Sequence, residues 1–208
     1  PGQDEKIFMK PGQHVMINIL SYSRPFTPIS WTNDALQLLV RNYKQSLFTN
    51  KLRKLEIGEE VRIRGPYGEF LYHRNSFIKV FMLGIGSGVA AFYPIAKKIA
   101  EDELEDSRVH LLLGFKSIEL IPLRKELQLL TDYWNVNCRI QLSRVSEQIK
   151  VNGIDLREGK IDENVVRSVV NNEKSEQVLI LICGNKNFNE FVKKLVEELG
   201  FRNFHIFE

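Results

Sequence analysis

Two patterns of apolar and polar positions succeed one another along the chain. Over residues 1–75 the runs are short, alternate with period two and are broken by turn residues. Pro11-Gly12 precedes an alternating strand over 14–20, a polar turn at 30–34 leads into another over 35–43, and Gly58-Glu59-Glu60 opens Val61-Arg62-Ile63-Arg64 before Gly65-Pro66-Tyr67-Gly68 turns sharply. Between these runs, Leu47, Phe48, Leu52 and Leu55 fall at helical spacing and predict a short amphipathic helix over 46–55. The first part thus reads as a small antiparallel β-barrel. From residue 76 strand and helix alternate. Strands are expected at 77–83, 109–115, 137–142, 177–183 and 203–207, with helices near 90–104, 122–134, 161–170 and 187–199. That order predicts an open, five-stranded parallel sheet. Pro94 lies inside the first helical stretch, which either kinks or begins there. The fold class is therefore two-domain, β followed by α/β, with the boundary near Asn75-Ser76.

The second pattern opens on Phe77-Ile78-Lys79-Val80-Phe81-Met82-Leu83, a buried strand running into Gly84-Ile85-Gly86-Ser87-Gly88 and a helix start. Glycines let backbone come within hydrogen-bonding distance of a phosphate, and the free N–H groups of a helix start favour negative charge. A glycine turn without a ligand has the same look. The spacing excludes two nucleotide sites. Position 89 is Val, so the Gly-x-Gly-x-x-Gly dehydrogenase fingerprint is not met, and Gly114-Phe115-Lys116 after the next strand lacks the acid that fingerprint needs for the ribose. No Gly-Lys-Ser/Thr follows, which sets aside an ATP-binding P-loop. A nucleotide site of a third kind remains.

Composition narrows the class further. With 208 residues, 43% of them hydrophobic, the chain can bury a full core, and disorder is excluded. Two cysteines, Cys138 and Cys183, and four scattered histidines make neither a disulfide framework nor a zinc site, and fit a reducing compartment. No signal peptide and no bilayer-spanning apolar run is present. The chain opens on Pro1 and not on Met, from which a preceding segment, an anchor among the options, is expected. The net charge of +3 is unevenly placed: residues 1–75 hold eleven Lys or Arg against seven acids. Lys44, Lys51, Arg53 and Lys54 form the densest cluster, either a solvated face or a landing site for an acidic partner. Aromatic residues do not interleave with the basic ones, which argues against nucleic acid.

The segment Arg24-Pro25-Phe26-Thr27-Pro28-Ile29-Ser30 matches the Arg-Pro-Tyr-Thr-Pro-Ile-Ser flavin motif of cytochrome b5 reductases at every position but Phe26. Pro11-Gly12-Gln13-His14-Val15, Gly65-Pro66-x-Gly68, Gly84-x-Gly86-Ser87-Gly88 and Cys183-Gly184 follow in the same order. Over nearly its whole length the chain resembles the ferredoxin–NADP reductase superfamily. Through Leu113-Gly114-Phe115-Lys116-Ser117 and Trp134-Asn135-Val136 it is most similar to the NADH–cytochrome b5 reductase-like branch. The resemblance implies an FAD-binding β-barrel over 1–75 and an NAD(P)-binding α/β domain over 76–208. It also implies a flavoprotein oxidoreductase that takes hydride from NADH and passes electrons singly to an acceptor such as cytochrome b5. Another acceptor, or a non-catalytic binding module, is the alternative.

Site residues carry over one at a time. Arg24 offers a planar charged fork for the FAD pyrophosphate. Phe26 is expected against the isoalloxazine, without the phenolic hydrogen bond of the usual Tyr. Thr27 is expected near flavin N5, and Ser30 closes the motif. Val40, Arg41 and Tyr43 match Val-Lys-x-Tyr beside the flavin and its phosphates. Where the family has Gly-Lys-Met-Ser, this chain reads Ser46-Leu47-Phe48-Thr49, which leaves Thr49 as the phosphate contact and predicts weaker FAD binding. Gly84, Gly86, Ser87 and Gly88 are expected to cradle the nicotinamide dinucleotide, and Ala91 replaces a proline of the family. Cys183 and Gly184 are expected to place the nicotinamide ring, making Thr27 and Cys183 the residues nearest the reaction. Ser143 and Arg144 stand where NADH users carry Asp-Arg, so NADH is the expected donor with poor discrimination against NADPH, and Lys150 offers a second positive contact. The chain is expected in the cytosol or on the cytosolic face of a membrane, held there only by a segment outside it.

Overall fold

The computed structural model describes residues 8–43, 45–144, 150–171 and 173–207. The chain separates into two compact units, Pro1–Leu71 and Tyr72–Glu208.

In the first unit β1 (His14–Ile19) buries every second residue, so Val15, Ile17 and Ile19 point into the core. β2 (Tyr22–Phe26) folds back on it through Leu20-Ser21, with Leu20 at φ 55°, and places Arg24 opposite Ile17 and Phe26 opposite Val15. β2 has no apolar alternation and contains Pro25, which is why the sequence pattern does not reveal it. β3 (Pro28–Trp31) pairs with β4 (Leu36–Leu38) across a turn in which the Thr32 hydroxyl accepts hydrogen bonds from the Asp34 and Ala35 N–H groups. β4 is shorter than the strand expected over 35–43. α1 (Leu47–Arg53) is capped by Ser46, whose hydroxyl accepts from the Thr49 N–H. β5 (Arg62–Tyr67) runs antiparallel to β1 and continues through Gly65-Pro66, where a sharp turn was expected; a register shift opposite His14 and Met16 absorbs the irregularity, and the Gly65–Pro66 bond is cis. Among the described residues the antiparallel pairing forms a sheet of order β2-β1-β5 and a separate pair β3-β4. Val15, Ile17, Ile19 and Phe48 form the core, with Phe26, Leu36, Leu38, Leu52 and Leu55 packed against it.

The second unit is a six-stranded parallel sheet of order β11-β10-β6-β7-β8-β9. Its elements in chain order are β6 (Lys79–Ile85), α2 (Val89–Ala100), β7 (Arg108–Phe115), α3 (Arg124–Leu130), β8 (Val136–Leu142), β9 (Ile154–Glu158), α4 (Glu163–Val170), β10 (Val178–Cys183), α5 (Lys186–Glu198) and β11 (Phe204–Phe207). The strand beyond the five expected is β9, an edge strand whose Asp155, Arg157 and Glu158 hide it from an apolar-run criterion. The central strands are buried on both faces, which is why β6 and β10 read as unbroken apolar runs. α2 begins at Val89 and passes through buried Pro94 without starting there.

The division at Leu71 and Tyr72 falls four residues before the expected boundary because the segment after it is bonded into the α/β unit. Tyr72 donates to Ser107 Oγ at 2.8 Å, Arg74 pairs with Asp102 at 2.7 Å, and the Asn75 N–H donates to the buried Glu105 carboxylate at 3.1 Å. Burial pushes the Tyr72 phenol up to about 12, so the hydroxyl stays a donor. No helix among the described residues is long and apolar enough to cross a membrane.

Candidate functional site

In the α/β unit the chain leaves β6 toward β7 on one side, while β10 returns on the other, so strand order reverses between β6 and β10. Crevices at the carboxyl ends of such strands are where open α/β sheets take ligands. Gly84 and Cys183 lie side by side in that register, and a 3-10 turn over Gly86–Gly88 delivers the chain into α2. The approach is close. A Cβ on Gly88 would stand 2.2 Å from the Cys183 carbonyl oxygen, and one on Gly84 would stand 2.5 Å from the Phe92 ring. Gly184 is equally confined, 2.6 Å from Phe188 and 2.7 Å from Ile85 by the same measure. These three glycines are thus called for by the close packing of β6, β10 and the helices that follow them, apart from any ligand. Gly86, at φ 59°, and exposed Ser87 carry the accessible part of the turn.

No side chain caps α2, because the 3-10 turn over Gly86–Gly88 runs straight into it and the Val89 N–H already donates to the Ser87 carbonyl; an anion at this helix start would be met by the turn around exposed Ser87. α5, which starts beside Cys183-Gly184, is capped by Asn185, whose side-chain oxygen accepts from the Phe188 N–H at 3.0 Å. Burial pushes the Cys183 thiol up to about 12. It is a neutral, polarizable contact surface and not a thiolate nucleophile. Ser143 and Arg144 follow β8, two strands from β6, and are exposed. Their N–H groups donate to Phe115 O at 3.1 Å and Lys116 O at 2.8 Å, which laces the ends of β7 and β8 together. Lys150 is exposed; residues 145–149 lie outside the described residues.

In the β unit the expected flavin residues sit on four consecutive pieces of chain. Arg24 is exposed on β2, Thr27 joins β2 to β3, and Ser30 on β3 donates to Gln37 at 2.7 Å. Val40 is half-buried beyond β4, and the Arg41 guanidinium stands 5.2 Å from the Tyr43 ring centroid. Two contacts were not foreseen. Phe26 stacks on Phe48 with ring centroids 5.9 Å apart and planes 17° from parallel. Thr49 is buried, its hydroxyl accepting from the Tyr43 N–H at 3.2 Å and donating to the Tyr43 carbonyl at 3.4 Å. Its one hydroxyl proton is therefore spent inside the protein. Of the basic cluster, Arg53 and Lys54 are exposed and Lys51 pairs with Glu59 at 3.6 Å; Lys44 lies outside the described residues.

Comparison with known proteins agrees with both halves. Residues 1–72 match the oxidoreductase FAD-binding domain and residues 82–194 the oxidoreductase NAD-binding domain. The chain is 27% identical over 203 residues to the human NADH-cytochrome b5 reductase-like protein, covering 93% of this chain and 64% of that one. It is 29% identical over 209 residues to the mouse protein of the same name, covering 96% and 66%. The structure of the CS-b5R domains of human Ncb5or in its NAD+ form superposes with a TM-score of 0.84 at 26% identity, covering 98% of this chain and 62% of that one. The chain thus spans just under two thirds of the length of these relatives. On these matches it belongs to the oxidoreductases that join an FAD-binding to an NAD-binding domain, in the cytochrome b5 reductase branch of the ferredoxin–NADP reductase superfamily.

Proposed function

We propose that the chain is the electron-transfer core of an NADH-dependent flavoprotein reductase that delivers electrons one at a time to an acidic protein acceptor of the cytochrome b5 kind. The observation that carries this reading is the arrangement at the sheet's reversal point. A glycine turn with exposed Ser87, leading directly into a helix and suited to a pyrophosphate, lies against a strand end that offers a neutral sulfur and no charge. A dinucleotide fits that donor set, and a uniformly charged substrate does not. On the flavin side, Arg24 would hold the pyrophosphate, Phe26 the isoalloxazine face and Thr27 the region of N5. When bound, FAD supplies the capacity to accept a hydride and release single electrons.

What remains for the chain's own residues is binding, orientation and exclusion of water, so no acid–base dyad is needed. Gly86, Ser87 and the first turn of α2 bind the nicotinamide dinucleotide, Cys183 and Gly184 form the apolar floor for its ring, and Ser143 and Arg144 receive the adenosine ribose. The free thiols of Cys138 and Cys183 fit work in a reducing compartment, in the cytosol or on the cytosolic face of a membrane.

Arg53 and Lys54, exposed on the flavin half, suit an acidic haem protein, whose attraction is screened over about 8 Å at physiological salt. Turnover with purified cytochrome b5 is expected to fall as salt rises, while turnover with a neutral small acceptor stays level. Equal salt sensitivity for both would remove the docking role. Failure to reduce cytochrome b5 at low salt, with ferric chelate or quinone still reduced, would assign a different acceptor.

A further inference from the structure

We propose that the first turn of α1 backs two aromatic residues of the flavin half, Phe48 setting the plane of the Phe26 ring and Thr49 holding the backbone of Tyr43, and that flavin affinity in this chain depends on these two positioning residues. The inference rests on the flavin reading above and adds to it a role for residues that need not touch the cofactor.

Three features of the turn lead there. The first is its chemistry: at Ser46-Leu47-Phe48-Thr49 this chain has no glycine for close approach and no lysine charge. Leu47 is exposed, and Thr49 has committed its proton to the Tyr43 carbonyl. The stretch is therefore poorly equipped to hold a phosphate directly. The second is its burial. Phe48 is 5% exposed and Thr49 8%, although they sit on a seven-residue helix at the surface of a small unit. Adjacent residues of a helix point about 100° apart, so burying both means that separate parts of the unit close on this turn.

The third feature is what each one closes on. Phe48 belongs to the core with Val15, Ile17 and Ile19, and its ring lies nearly parallel to that of half-buried Phe26. Phe26 thereby has its plane set by a buried residue of the core. Thr49 bonds both backbone groups of Tyr43, whose carbonyl also accepts from the Ser46 N–H at 2.9 Å. Tyr43 keeps its ring exposed, with Arg41 over its face. A side chain that must be immobilised when a ligand arrives gives up part of the binding free energy, and fixing it beforehand removes that cost. The turn thus supports binding through geometry where charge is missing.

The test uses the full chain stripped of flavin and titrated with FAD, following flavin fluorescence, beside thermal melting of the flavin-free protein. Thr49→Val keeps the shape and removes the hydroxyl, Thr49→Ser keeps the hydroxyl, and Phe48→Leu keeps an apolar side chain without the ring. Thr49→Val and Phe48→Leu are each expected to weaken FAD binding about fivefold to tenfold. Thr49→Ser is expected to stay within about twofold of the unaltered chain, since the bonds to Tyr43 survive. FAD affinity unchanged in Thr49→Val and Phe48→Leu, whatever their melting temperatures, would overturn the proposal. So would equal losses in Thr49→Ser and Thr49→Val, because affinity would then follow packing and not the hydroxyl. If the unaltered chain takes up no FAD, the flavin reading itself falls, and that result is separate from any difference among the variants.

Discussion

The α/β unit forms its candidate site from backbone, and the β unit forms its own from side chains. At the reversal point between β6 and β10, Gly84, Gly88 and Gly184 sit where any Cβ would strike a neighbouring strand or ring, and the strands beneath are buried on both faces. In the β unit, Arg24, Phe26, Tyr43 and Arg41 stand on short strands and connecting segments, β5 is exposed along its length, and the buried core cluster is Val15, Ile17, Ile19 and Phe48. A site made of strand ends tolerates changes of exposed side chains but not of backbone clearance. A site made of side chains on thin strands is tuned residue by residue, and depends on whatever fixes each residue.

Gly88→Ala probes the backbone-built site and carries the largest expected effect. Its Cβ would lie 2.2 Å from a carbonyl oxygen of the neighbouring strand end, and backbone cannot yield as a flexible side chain does. Stability of the α/β unit, measured by urea denaturation, is expected to fall by about 3 kcal/mol, at the upper end for overpacking. A loss below about 0.5 kcal/mol would mean that the strand ends are not closely packed.

Arg24→Ala probes the other kind of site. Arg24 is exposed, so its removal is expected to leave the melting temperature of the flavin-free protein unchanged. FAD binding should weaken by about 1.5–3 kcal/mol for each charge-assisted bond lost, read by equilibrium titration. Retained affinity would detach Arg24 from the flavin site. The contrast between the two variants, one losing stability and the other losing ligand, is the difference between the two units in measurable form.

The smallest expected effect falls at Ser143, where the two ways of building a site meet: the backbone at 143–144 is laced to the end of β7 through Phe115 and Lys116, while the exposed Ser143 side chain is the one proposed to face the adenosine ribose. A serine beside Arg144 carries no charge to repel a 2′-phosphate. Ser143→Asp is expected to lower kcat/KM for NADPH about tenfold relative to that for NADH, because a carboxylate near a phosphate disfavours only the phosphorylated cofactor. An unchanged ratio of the two efficiencies would show that Ser143 does not face the ribose.

The same division explains what the sequence makes legible. β6 and β10 are apolar runs because both faces are covered, β7 carries Leu111-Leu112-Leu113 at its centre, β8 alternates buried Val136, Cys138 and Ile140 with polar residues, and the helices α2 to α5 alternate with strands; these elements stand out by pattern alone. β9 and β2 do not. One is an edge strand of charged residues, and the other carries Pro25 in a hairpin whose ladder is supplied by β1. The glycine loop is visible as a motif, but the motif does not disclose that Gly88 is demanded by the Cys183 carbonyl, since that contact joins chain segments some ninety residues apart. The Phe26–Phe48 stack and the Thr49–Tyr43 bonds escape for a similar reason. Each residue has an ordinary local role, and only the tertiary path of α1 brings the pairs together. Tyr72, Arg74 and Asn75 look like linker composition, yet their partners Ser107, Asp102 and Glu105 bind them into the following unit.

The central claim, that this chain couples a nicotinamide donor to a bound flavin, is tested most directly by the visible absorption spectrum of the purified, FAD-loaded protein before and after anaerobic addition of NADH. The account predicts a flavin spectrum that bleaches on addition of NADH and returns when a one-electron acceptor is admitted. A protein that retains no flavin, or one whose flavin spectrum is unaffected by NADH, would contradict it.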